Sequence, residues 1–180
     1  MVKSVSNVGY NEGEIVVVRY QENPNLPLIE YVSYVREHTN PNSSITFPLT
    51  NIQREIKDFN SRRGSRTLDL IFGRIHDVTR LKRERNISTP VIGELYEVEC
   101  NDPDVSSIIP GDNEGLSFKV VGCYAGIRPV GGHKYYLFSN VCETDPEKIK
   151  PQSRDMTYGR RVFTRVRHNE HLKIKRLSKK

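Results

Sequence analysis

The residues whose type and spacing could support catalysis are carboxylates. Glu97 and Glu99 lie with Glu94 in a stretch of alternating character, and Asp69 lies in a second such stretch. Because side chains two positions apart share one face of a strand, Glu97 and Glu99 would point the same way, and the fold could bring Asp69 to them. Clustered carboxylates can hold Mg²⁺ near a phosphodiester. Asp69, Glu97 and Glu99 are therefore the candidate catalytic residues of a metal-dependent nuclease.

Other signals of catalysis or cofactor binding are missing from the sequence. It contains no phosphate-cradling glycine loop and no dinucleotide fingerprint. His168 and His171 are three residues apart, but no cysteine or third histidine is nearby, so they do not predict a metal site. We expect no cofactor, and an enzyme is the alternative rather than the leading hypothesis.

Basic residues are concentrated at the C-terminal end of the sequence. Residues 150–180 contain eleven Lys or Arg and two Asp or Glu, a net charge of +9 in a chain whose total is +6. Residues 54–85 carry +5, whereas residues 86–149 carry −6. A single-sign surface attracts polyanions, so nucleic acid, an anionic membrane surface and an acidic protein are the candidate partners. The alternative is a solvated face folded against the chain's own acidic segment.

The apolar pattern of this basic end predicts a β-hairpin. Arg160–Arg167 and His171–Leu177 both alternate apolar and basic residues. A three-residue loop over His168–Glu170 keeps the apolar residues of both strands on one face, whereas a two-residue turn mixes the faces. Arg165 and Lys173 would then lie opposite each other, and such like charges are more easily accommodated if an anion neutralises them.

The basic face of this hairpin, with two arginines near residue 62, supplies the candidate nucleic-acid-binding residues. Arginine and lysine would bind phosphate, and Phe163 could stack on a base or pack, with packing favoured. The candidates are Arg161, Phe163, Arg165, Arg167, Lys173, Lys175, Arg62 and Arg63.

Strand-like segments predominate in the rest of the chain. One helix is predicted over Asn51–Arg62, because Thr50–Gln53 resembles a capping box and the apolar residues that follow recur at helical spacing. A Pro129–Gly132 turn predicts a second hairpin, and Thr79–Asn86 predicts a charged turn or short helix. We expect a mainly β fold of the α+β class: an antiparallel sheet or partly closed barrel of about six to seven strands with one packed amphipathic helix.

The domain organisation and location follow from length and composition. Residues 1–150 are expected to form a β-rich core, and residues 151–180 a basic hairpin or arm packed on it or extending from it. No apolar run approaches the roughly 20 residues that cross a bilayer, and the N-terminus lacks a secretory pattern. We therefore expect a protein of the cytoplasm or nucleus of the host cell, or of a particle assembled there.

The leading hypothesis is a non-enzymatic binding or assembly protein that contacts nucleic acid such as RNA. It would be a subunit of a nucleoprotein complex or viral particle, the viral setting resting on analogy of class alone. A matrix-like protein on an anionic membrane surface is a further alternative. The sequence leaves homo-oligomerisation open.

Overall fold

The computed structural model describes residues 9–37, 46–54, 67–102, 116–143, 157–158 and 161–180. The strands within them are β1 (Ile15–Tyr20), β2 (Ile29–Val35), β3 (Thr46–Thr50), β4 (Ile52–Arg54), β5 (Thr67–Ile71), β6 (Ile75–Ile87), β7 (Leu95–Asp102), β8 (Leu116–Val130), β9 (His133–Ser139), β10 (Thr157–Tyr158), β11 (Arg161–Arg167) and β12 (Lys173–Lys179). A 3-10 helix, Phe72–Arg74, precedes β6. None of the helical structure in these ranges has the length and apolarity that crossing a bilayer would need.

The strands form one curled antiparallel sheet that resembles half of a barrel. Its order is β10-β11-β9-β8-β7-β12-β6-β1-β2-β3-β5, and β4 pairs with β8 beside this path. The predicted mainly β, antiparallel architecture is confirmed, whereas the predicted strand number of six to seven and the packed helix are wrong.

The start of the predicted helix lies in a strand. Ile52 in β4 pairs with Val120 in β8, and Ile52 also packs against buried apolar residues of that sheet. The Thr50 hydroxyl donates to the Ile52 carbonyl at 3.1 Å and accepts from its N–H at 3.3 Å. The apparent capping box is therefore a polar contact at a corner between two strands. Residues 55–62 of the predicted helix lie outside the described residues.

The charged segment Thr79–Asn86, predicted as a turn or short helix, lies inside the long strand β6. The first half of β6 pairs with β1 and the second half pairs with β12. Backbone hydrogen bonds to two neighbours therefore stabilise an extended conformation that the charged residues alone would not favour.

The centre of the sheet is buried on both faces. In β1, Val16 and Val18 contact one apolar cluster, whereas Ile15 and Val17 contact another, and none of the four is more than 4% exposed. A strand covered on both faces reads as a continuous apolar run, as these four residues do.

Hydrogen bonds join the two sides of the curled sheet. In β2, the Val32 N–H donates to the Asn140 carbonyl at 2.7 Å. The Val121 N–H of β8 donates to the carbonyl of Asn51, the corner residue between β3 and β4, at 2.9 Å. Between these sides lies an apolar cluster that includes Val17, Val121 and Leu177.

The predicted C-terminal hairpin is wrong, because its two strands do not pair. β11 pairs with β9 and β10, while β12 lies between β6 and β7. The predicted loop His168–Glu170 is part of a longer crossover, in which Leu172 packs against the cluster that contains Tyr136. Alternation specifies which face of a strand is buried but not which strand lies beside it. The domain boundary at residue 150 falls outside the described residues and stays a prediction.

Candidate nucleic-acid interface

Glu97, a candidate catalytic residue, is a buried carboxylate held in an ion pair. Its side chain is 4% exposed. From β6, the Arg83 guanidinium donates to both of its oxygens, Nε to Oε2 at 2.5 Å and Nη2 to Oε1 at 2.7 Å. From β2, the Tyr34 hydroxyl donates to Oε1 at 3.0 Å. The carboxylate thus links three strands, and these contacts account for its place in the core.

The pKa values of Glu97 and Tyr34 follow from their burial and from the charges of the side chains beside them. Burial acts to raise the pKa of the Glu97 carboxyl, but hydrogen bonding and charge from Arg83, with smaller effects of Tyr34 and Lys119, leave it below the usual value. Burial and then the negative charge of Glu97 raise the pKa of the Tyr34 hydroxyl far above its usual value. Glu97 is therefore ionised and Tyr34 neutral at physiological pH, as a structural pair requires.

The other candidate carboxylates do not join Glu97 in a metal site. In the strand register, Glu99 lies opposite Lys119 of β8 on one side and opposite Lys173 of β12 on the other. Asp69 is exposed on β5, and five strands separate β5 from β7 in the sheet order. Within the described ranges, no three His, Cys, Asp or Glu residues are grouped so that they could hold a metal ion. This geometry gives no support to the nuclease alternative.

Much of the positive charge of β12 lies beside the acidic strand β7. Lys173 pairs with Glu99, and Lys175 pairs with Glu97. Arg176 donates to Glu94 Oε1 at 2.7 Å. Opposite charges on neighbouring strands stabilise the sheet, and the register places the candidates Lys173 and Lys175 beside glutamates of the same chain.

The arginines of β11 have different neighbours. Arg165 lies opposite Leu137 of β9 and is exposed, with no acidic partner recorded among the described residues. Arg167 lies opposite Tyr135 of β9. Phe163, which could have stacked or packed, is 7% exposed and packs against Leu137.

The remaining predicted binding residues are Arg161, Arg62 and Arg63. Arg161 is at the start of β11 and pairs with Tyr158 of β10. Arg62 and Arg63 lie outside the described residues, so their part in binding stays a prediction.

Arg167 belongs to a row of side chains that crosses three strands. Arg128 of β8 lies opposite Tyr135, and Tyr135 lies opposite Arg167. Directly paired residues of an antiparallel sheet share a face, and so do residues two positions apart on one strand. His133 and Arg165 therefore point to the same side as this row. We call Arg128, His133, Tyr135, Arg165 and Arg167 the basic face.

A hydrogen bond supports the grouping of these side chains. The Arg167 Nη2 donates to His133 Nδ1 at 3.0 Å. A guanidinium can only donate, so His133 Nδ1 is the acceptor of this hydrogen bond. Three guanidinium groups thus surround a partly exposed tyrosine on one surface.

Sequence reasoning misses the place of Arg128, His133 and Tyr135 in the basic face, although part of the signal is present. The turn at Gly131 and Gly132 was predicted, and both residues have positive φ values, 55° and 80°. Continuing the register from that turn places Arg128 opposite Tyr135. The position of β11 beside β9 is a long-range pairing that alternation cannot specify.

Comparison of the chain with protein-family models, with curated proteins and with solved structures found no match. What it binds must therefore be inferred from its own residues.

Proposed function

We propose that the protein is a non-enzymatic binding protein that contacts nucleic acid through the basic face, as a subunit of a nucleoprotein assembly such as a viral particle. The observation that carries this proposal is the row formed by Arg128, Tyr135 and Arg167, with Arg165 exposed beside it. Guanidinium groups bind phosphate oxygens through charge-assisted hydrogen bonds, often in pairs. An aromatic ring among them suits a ligand that has bases as well as phosphates.

The rival partners use only part of this arrangement. An anionic membrane or an acidic protein would be attracted by the arginines, but neither specifically requires the ring of Tyr135. The nuclease alternative needs carboxylates near the bound phosphate, whereas Glu97 is held by Arg83 and Tyr34. Nucleic acid is therefore the partner that the described residues favour.

The experiment compares two double variants that remove the same charge. Arg165→Gln/Arg167→Gln alters the basic face. Arg36→Gln/Arg74→Gln alters two arginines elsewhere, whose side chains are 46% and 45% exposed and pair with glutamates. Binding to labelled RNA and DNA oligonucleotides and to anionic lipid vesicles is measured by fluorescence anisotropy and co-sedimentation, after thermal melting has verified folding.

We expect the basic-face variant to bind nucleic acid at least about tenfold more weakly, since hydrogen bonds to charged groups contribute on the order of 1.5–3 kcal/mol each. The control variant should stay near wild type. Equal losses in both variants would show that only net charge matters. Binding to vesicles but not to nucleic acid would favour the membrane alternative instead.

A further inference from the structure

Tyr135 differs from the other tyrosines of the chain in its exposure. Of the tyrosines whose burial is described, it alone is partly exposed. The others are at most 6% exposed: Tyr10, Tyr20, Tyr31, Tyr34, Tyr96, Tyr124 and Tyr136. Tyrosine is abundant in this core, and the other rings are buried. We interpret the exposure of this one ring on the basic face as a sign that a ligand covers it.

The Tyr135 ring also differs in its contacts. Its neighbour in sequence, Tyr136, packs edge-on against Tyr124 at 5.5 Å between centroids, on the opposite face of the sheet. Tyr10 lies beneath the guanidinium of Arg80, 4.5 Å from the ring centroid. For Tyr135, by contrast, the structure records no ring contact, no cation over the ring and no hydrogen bond of the hydroxyl, as far as the described residues go. The ring therefore has a surface available to a flat partner.

The strands place cations on both sides of this ring. Directly paired side chains have Cβ atoms about 5 Å apart, so Arg128 and Arg167 lie about 10 Å from each other across Tyr135. Arg165 is two positions from Arg167 along β11, on the same face. A strand of nucleic acid lying across this surface would meet guanidinium groups at its phosphates and the ring at a base.

Base stacking on Tyr135 distinguishes single-stranded from duplex ligands. In a duplex both faces of a base are covered by its neighbours, and exposing one costs unstacking free energy. A single strand presents its bases at little cost. Resting on the function proposed above, we infer that the ligand of the basic face is single-stranded nucleic acid and that Tyr135 stacks on one of its bases.

Tyr135→Trp gives a direct probe of stacking, because the chain contains no tryptophan. A control variant, Ile71→Trp, places the reporter on β5, at a residue 38% exposed and away from the basic face. Each is titrated with a 12-nucleotide oligo(U) RNA, with oligo(dT) and with a 12-base-pair duplex. We expect both single strands to quench the fluorescence of Tyr135→Trp, and the Ile71→Trp signal to stay unchanged.

Two further variants test base stacking on Tyr135 without introducing a tryptophan. Tyr135→Leu keeps every cation but loses the ring, so it should bind the single strands about fivefold to hundredfold more weakly, with an unchanged dependence on salt. Its affinity for the duplex should not change. Tyr135→Phe keeps the ring and should bind as wild type does.

The outcomes separate this inference from the function on which it rests. If wild type binds no nucleic acid at low salt, the proposed function itself fails. If wild type binds but Tyr135→Leu has the same affinity for single strands, the stacking inference is overturned and nucleic-acid binding stands. Binding of duplex as tight as that of single strands, with equal effects of Tyr135→Leu on both, also overturns it.

Discussion

Glu97 is held by side chains from two other strands, so one carboxylate stabilises the relative position of three strands. Arg83 reaches it from β6 and Tyr34 from β2. The two charges differ in exposure, since the Arg83 side chain is 47% exposed and that of Glu97 only 4%. Removing the carboxylate leaves an arginine that water can reach, whereas removing the arginine leaves a buried anion, which costs more.

The ion pair predicts a dependence of stability on acid pH. The folded pKa of Glu97 lies below its usual value of 4.5, so its contribution is present above that pH and is lost as the pH falls through the lower folded value. Near pH 6 we expect Glu97→Gln to lower the free energy of unfolding by about 1–3 kcal/mol. This difference from wild type should shrink between about pH 5 and pH 3.

The measurement is urea denaturation followed by circular dichroism across that pH range. Glu84→Gln serves as the control, because Glu84 is an exposed glutamate next to Arg83 and its loss should change stability little at any pH. A difference between wild type and Glu97→Gln that stays constant from pH 6 to pH 3 would contradict the role given to the ion pair.

At the scale of elements, β12 is stabilised by its place between two strands of different charge. Its backbone pairs with β6 on one side and with β7 on the other. Ile174 is 4% exposed and packs with Val98 of β7. Lys173 and Lys175 face the glutamates of β7, so charge as well as packing favours this position over pairing with β11.

Charge reversal at Lys173 tests the position of β12, because the sign of the change in the free energy of unfolding depends on which strand lies beside it. Lys173→Glu puts a carboxylate opposite Glu99, so we expect the free energy of unfolding to fall by about 0.5–1 kcal/mol at low salt and by less at high salt. In a Glu99→Gln background no carboxylate lies opposite residue 173, so the loss caused by Lys173→Glu should largely disappear. In a hairpin of β11 and β12 the same change would face Arg165 and increase stability, and that result would contradict the observed pairing.

The local sequence pattern correctly predicts several strands, and long-range strand pairing explains the predictions that are wrong. The continuous apolar run of β1 and the glycine turn after Val130 both indicate the observed structure. Ile52–Arg54 has helical signals, yet it pairs with β8 because a strand edge and an apolar surface are available there. Likewise the alternation in β11 correctly marks Phe163 and Arg165 as sharing a face, but the neighbour of that face is β9, which no local signal specifies.

At the scale of the whole molecule, strand pairing brings part of the basic segment of the sequence beside the acidic segment. The acidic segment supplies β7, and the basic C-terminal segment supplies β12, which pairs with it. β11 belongs to the same basic segment, but it lies beside β9, where Leu137 and Tyr135 face its arginines. The candidate binding surface is therefore the basic face around Tyr135 rather than a C-terminal hairpin.

The most direct test of this account is the salt dependence of single-stranded RNA binding. The slope of log affinity against log salt counts the phosphates that the protein neutralises, with about 0.7 per contact for single strands. We predict that Arg165→Gln/Arg167→Gln reduces the magnitude of the slope by about 1.4, while Arg36→Gln/Arg74→Gln leaves it as in wild type. Equal slopes in all three proteins would contradict the proposed role of the basic face.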